Sequence, residues 1–157
     1  MNEFKIAVIS KDGDAKYYPI DDNDTYHAYY LELYAKEHYQ LPDNVDTRSA
    51  NSIALFLRNQ GNVIFLNITT YKENILKQHG RNGIIIIPDI ITDQQEKAIL
   101  ELNDKIQNFD SIQIWHNFIS ETDCSMTVRH TNEEVRKLFP GFLEYYKENQ
   151  NARKSKW

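Results

Sequence analysis

Five histidines and one cysteine are the residues of this 157-residue chain best suited to bind a metal or move a proton. They are His27, His38, His79, His116 and His130, with Cys124. His116 and His130 flank Cys124, so two imidazoles and a thiolate could make a transition-metal set. Their spacing matches no metal-binding module, and satisfied structural histidines with a buried free thiol are the better account of them. His27 and His38 share one helix face, but at 1.5 Å per residue they stand roughly 16 Å apart, too far to share one ion. With Glu121 or Asp123 as a carboxylate partner, His116 and His130 would serve a hydrolase as acid and base, provided they converge in one pocket. No metal ligands, no cofactor and no catalytic residues are assigned from these patterns.

Other chemistry-bearing motifs are weaker still. There is no phosphate-binding glycine loop, G-x-S-x-G, H-E-x-x-H or C-x-x-C. Pro88-Asp89 opens like a restriction-type nuclease site, which needs a later acid-x-Lys to complete a metal-binding trio. None follows. His130-Thr131 lacks the intervening residue, and the second copy, of two-histidine phosphoesterases. Asp12 and Asp14, then Asp21, Asp22 and Asp24, suit turns and helix starts. A calcium loop would also require a glycine that is missing there.

The elements that must position these residues follow from local signals. Residues 4–10 read as a strand, and Asp12-Gly13 as a two-residue type I′ hairpin turn. Residues 15–20 form the return strand, held at a sheet edge by Pro19, which cannot donate to a ladder. Asp24 or Thr25 caps a helix running to about Tyr39, and Asp46 or Thr47 opens a second. Ala50, Ile53, Ala54 and Leu57 line one face of that second helix, and Gly61 supplies its left-handed C-terminal cap. Residues 62–69 form a strand and 71–79 a short helix. Residues 83–87 carry four isoleucines, apolar on both faces, as a central strand does. Thr92 and Gln95 form a capping box for a helix burying Ile99, Leu102, Ile106 and Phe109. Residues 111–119 and 125–130 are further strands. Thr131 and Glu134 cap another helix, and Pro140-Gly141 splits the last helical region. The fold class is α+β: a mixed five- or six-stranded sheet with a leading β-hairpin and about four helices, the helices lying on one or both faces. Residues 1–150 make a single domain and 151–157 a basic tail.

The first helix has an unusual distribution of side chains. Between Asp24 and Gln40 stand Tyr26, Tyr29, Tyr30, Tyr34 and Tyr39. Ala28, Leu31 and Ala35 cluster on one side. Tyr26, Tyr30, Leu33 and Tyr34, with Tyr29 at the margin, cluster roughly opposite, and Glu32 and Lys36 form a stripe between. The small-residue face can lie close on a sheet, and the tyrosine face then needs a second cover. Tyrosine combines large contact area with a polar tip and is enriched at interfaces. Tyr26, Tyr29, Tyr30 and Tyr34 are therefore the expected partner-binding residues. The competing expectation is a helix sandwiched between the sheet and the second helix.

Composition narrows the setting. Net charge is −5. The stretch from Lys147 to Trp157 carries +3, leaving −8 over the preceding 146 residues. That balance disfavours direct nucleic-acid binding, except through the tail, whose simpler role is a solvated end. No apolar run reaches the length of a membrane span, and the N-terminus lacks the regions of a signal peptide. A lone cysteine forms no internal disulfide and fits a reducing cytoplasm.

Gly61-Asn62-Val63-Ile64-Phe65-Leu66-Asn67, then Ile87-Pro88, then Ile91-Thr92 with Gln95 before an amphipathic helix, resembles small uncharacterised proteins of phages and integrative elements in low-GC Gram-positive bacteria. The resemblance covers about two-thirds of the chain, in strand and capping signals, and brings no catalytic residues. The expected function is a non-catalytic protein-binding factor: an inhibitor, an immunity protein or an anti-defence protein. Its partner would be a protein, such as a nucleic-acid enzyme or a toxin whose basic groove suits an acidic surface. A homodimer is also allowed. The alternative is a small hydrolase or nuclease with a histidine-containing site.

Overall fold

The computed structural model describes residues 4–19, 27–69, 81–107, 109–115, 128–139 and 141. Among these, six strands form one sheet and four helices pack on it. The strands are β1 (Phe4–Ile9), β2 (Ala15–Pro19), β3 (Val63–Asn67), β4 (Asn82–Ile86), β5 (Ser111–Trp115) and β6 (Val128–His130). The helices are α1 (His27–His38), α2 (Ala50–Asn59), α3 (Asp93–Lys105) and α4 (Asn132–Leu138). The sheet order is β2-β1-β3-β4-β5-β6. Pro19 accordingly lies on an edge strand, where its missing N–H leaves no gap in a ladder. Only β4 and β5 pair in parallel, across the α3 crossover, and every other pairing is antiparallel. In consequence β1, β4 and β5 point the same way and their carboxyl ends meet at one rim of the sheet.

Strand alternation sends side chains to both faces, and both are covered. Ile84 and Ile86 pack with Ile6, Val8, Ile64 and Leu66 beneath α1 and α2. Ile85 and Ile87 pack with Ala7, Ile9, Val63 and Phe65 beneath α3 and α4. The four-isoleucine segment is thus buried on two sides, as its lack of alternation requires. The α3 residues Ile99 and Leu102 lie fully buried on that second face, with Ile106 and Phe109 beside them.

Turn and cap chemistry matches the sequence at most termini and departs from it at two. Thr92 and Gln95 form a complete capping box on α3, as Thr131 and Glu134 do on α4. At the end of α2, Gly61 has φ +95°, its N–H bonds the Arg58 carbonyl, and the Asn62 N–H bonds that of Leu57. Those two bonds satisfy the last carbonyls in a Schellman arrangement. The hairpin differs from the two-residue turn expected. The Gly13 N–H bonds the Ser10 carbonyl, the Ser10 N–H bonds the Asp14 carbonyl, and Gly13 has φ +86°. This is a three-residue loop, a turn over Lys11 and Asp12 followed by a left-handed glycine. A Cβ on Gly13 would also stand 2.8 Å from the Gln94 Cβ, so hairpin and helix start are in close contact. The second departure is the cap of α2, which is Ser49 rather than Asp46 or Thr47. The Ser49 hydroxyl accepts the Ser52 N–H, whereas the Asp46 carboxylate turns back onto the Arg48 N–H at 3.0 Å.

Asp24 and Thr25, the 71–79 helix and the 151–157 tail lie outside the described residues, as do the extensions of the strands to 119 and from 125. Among the described residues no helix is long and apolar enough to cross a membrane.

Candidate functional site

The tyrosine helix is the first place to look for a contact surface, and the structure divides its aromatic residues. Tyr30 and Tyr34 are only 8% and 4% exposed, whereas Tyr29 is 55% exposed. Tyr26 lies outside the described residues. The expected partner face therefore loses Tyr30 and Tyr34 to the interior. The Tyr30 ring lies 5.2 Å from that of Tyr18 in the hairpin strand β2, and Tyr30 and Tyr34 share one core cluster with Tyr18, with Ile53, Ala54 and Leu57 of α2 and with the inner strands. Ala28, Leu31 and Ala35 are buried on the small-residue face, so α1 is enclosed on two sides. What remains outside is a strip carrying Tyr29 and Leu33, four residues apart and hence adjacent on the helix. Tyr29 meets Tyr30 edge-on at 5.4 Å, which fixes its ring from beneath. A Glu32–Lys36 pair at 3.3 Å runs alongside.

Among the described residues, His27, His38 and His130 do not assemble. His27 Nε2 lies 2.8 Å from the Asn67 carbonyl, which assigns the ring proton to Nε2. Burial holds the His27 pKa below its ordinary value, against the pull of that hydrogen bond, and nearby Lys5 lowers it further. His130 ends β6, with Nδ1 4.0 Å from a Glu134 carboxylate oxygen. Burial lowers its pKa too, and Glu134 only partly opposes the shift. His38 stacks on Tyr34 with ring centroids 4.2 Å apart. His79, His116, Glu121, Asp123 and Cys124 lie outside the described residues. Among the described residues no group of three or more His, Cys, Asp or Glu could hold a metal ion.

Both lowered histidines make the same thermodynamic statement. The unfolded chain titrates near pH 6.5 and the folded chain lower, so acid protonates the unfolded state first. Stability should be constant above that pH and fall as pH drops from about 6.5 toward the folded pKa values. Replacing His27 with Gln should flatten that fall in urea titrations run between roughly pH 7.5 and 5. A fall of unchanged steepness would assign it to other groups.

A second constellation sits at the rim where β1, β4 and β5 end, and sequence reasoning did not find it. Arg58, in the last turn of α2, is 2% exposed. Its Nε donates to the Ile87 carbonyl at 3.0 Å and its Nη2 to the Asp89 carboxylate at 2.7 Å. Asp89, the acid of the Pro88-Asp89 pair, is thus the counter-ion of a buried guanidinium. Gln95, fully buried, accepts the Thr92 N–H and donates to the carbonyls of Gly61 at 2.7 Å and Ile9 at 3.3 Å. The Thr92 hydroxyl donates to the Lys11 carbonyl at 2.7 Å. Three loops are thereby tied together: the hairpin, the α2–β3 turn and residues 87–92. Gln95 announced only its capping role, and no local pattern singles out Arg58.

The chain is an α+β protein with a six-stranded mixed sheet led by a hairpin and helices on both faces. No family model matches it, and neither a curated protein nor a solved structure does so.

Proposed function

We propose that this chain is a non-catalytic protein-binding factor, acting as an inhibitor, immunity or anti-defence protein of a phage or mobile element. The observation that carries the reading is the Tyr29–Leu33 strip. It is a large aromatic and an aliphatic side chain left outside on a helix whose other described tyrosines are inside. Such a strip offers contact area held at low entropic cost, because Tyr30 already supports the Tyr29 ring. The described histidines are engaged with a backbone carbonyl, a cap carboxylate and a tyrosine ring, which accounts for them without catalysis. The net charge of −5 suits a basic groove on a nucleic-acid enzyme or toxin, by complementary potential. A reducing cytoplasm is the compartment that this reading entails.

Tyr29→Ala tests it. The substitution should change folding stability by less than about 1 kcal/mol, since only an edge contact with Tyr30 is lost. Affinity for the partner, recovered with the tagged full chain from cells that make it, should fall by more than about 1 kcal/mol. Unchanged binding in both Tyr29→Ala and Leu33→Asp would remove α1 as the contact surface.

A further inference from the structure

A different surface carries a more specific inference. Ile90 is 79% exposed, more than any other large apolar side chain among the described residues. An isolated exposed isoleucine needs no explanation on its own. Its setting is the informative part, because residues on both sides of it are fastened. Before it, the Ile87 N–H donates to the Trp115 carbonyl, the Ile87 carbonyl accepts from Arg58, and the Asp89 carboxylate takes the same guanidinium. Pro88 between them is buried. After it, Ile91 packs against the core beneath α3, and Thr92 is held by Gln95 and by the Lys11 carbonyl. Ile90 is therefore a protruding apolar knob on a loop already fixed in one conformation. A preorganised loop loses little entropy on association, and affinity gains accordingly.

The rim around the knob has a sign. Asp89 and Asp93 flank it in sequence and are exposed, and Asp12 and Asp14 are exposed on the adjoining hairpin. Against them stands Lys11 at the surface, while Arg58 is enclosed and already paired with Asp89. Exposed aspartates on the loop and on the adjoining hairpin, beside an apolar tip, complement an apolar pocket bordered by lysine and arginine. We infer that Ile90 inserts into such a pocket on a protein partner, with Asp12, Asp14 and Asp93 facing the basic border. The inference rests on the reading of the chain as a protein-binding factor and adds to it the place of insertion and the chemistry of the partner.

The test uses the full chain carrying a photo-crosslinking p-benzoylphenylalanine at position 90, at 29, or at Glu101 on the outer face of α3 as a control. Each is irradiated in lysate of the cells that make the protein. Position 90 should give one discrete protein adduct, at least tenfold above the control. Peptide mapping should place the attachment in an apolar stretch bordered by Lys or Arg. The yield should drop severalfold as salt rises from about 0.05 to 0.5 M, because exposed charge pairs are screened. Ile90→Asp, at so exposed a position, should fold normally and weaken binding at least tenfold. An adduct at 29 but none above control at 90 would overturn the knob and leave the protein-binding reading standing. Adducts at neither position would overturn both. An adduct at 90 on a surface without basic residues, insensitive to salt, would overturn the proposed partner chemistry.

Discussion

Replacing Gln95 with Leu should destabilise the fold by roughly 3–5 kcal/mol, although the side chain is fully buried and leucine is close to it in volume. The buried amide bonds three backbone groups from three different segments: the Thr92 N–H, the Gly61 carbonyl and the Ile9 carbonyl. Leucine fills the space and satisfies none of them. A buried backbone group left without a partner costs about 1–3 kcal/mol, and those that can reach water at the rim cost less. The melting temperature should fall by roughly 10 °C, at a few degrees per kcal/mol for a chain of this size. Gln95→Glu should be at least as damaging at neutral pH, since a carboxylate would face two carbonyl oxygens. That deficit should shrink on acidification. The buried carboxyl has its folded pKa raised, so the folded state takes up the proton first and then regains an O–H donor. Thermal melts of the two variants across pH check both statements. A Gln95→Leu variant within about 1 kcal/mol of the parent would mean that the three loops are held by other contacts.

Gln95 also shows why part of the rim was legible in the sequence and part was not. Its capping role depends on a spacing of three residues from Thr92, so it can be read locally. Its bonds to Ile9 and Gly61 depend on β1 and β3 being neighbours, which no local pattern encodes. Arg58 was hidden for the same reason. At the end of an amphipathic helix an arginine is usually solvated, and it is buried here only because Ile87 and Asp89 come within reach. The four-isoleucine strand and both capping boxes were visible because each rests on local composition and spacing. The hairpin turn was half visible: Asp-Gly supplies the positive φ, but a two-residue and a three-residue loop use the same pair. Between residues 46 and 49, Asp46, Thr47 and Ser49 can all cap, and the choice depends on which oxygen meets the Ser52 N–H. For α1, periodicity identified two apolar faces, and only the tertiary packing of α2 and of Tyr18 on β2 determined how they were covered.

Tyr34→Ala should cost roughly 3–5 kcal/mol, the range for removing a buried aromatic side chain. Tyr34 is 4% exposed and belongs to the core cluster formed by α1, α2, Tyr18 and the inner strands. Truncation would leave a cavity in that cluster and leave the stacked His38 ring without its partner at 4.2 Å. The environment of the phenol supports a buried role. Its pKa is pushed up to about 12, first by burial and then by Tyr39, Tyr18 and Asp14 nearby. The urea midpoint should move to lower concentration with an unchanged slope, because the loss is in the native packing and not in the surface exposed on unfolding. The contrast with Tyr29 on the same helix is the sharper part of the test. One turn and one residue away, Tyr29→Ala should leave the midpoint nearly in place and act on binding instead. Should Tyr34→Ala melt like the parent, Tyr34 would not be part of the packed core, and the tyrosine face would again be free to serve as a contact surface. A large loss for Tyr34 beside a negligible one for Tyr29 would assign the inner tyrosines to the fold and restrict any partner of α1 to the outer strip.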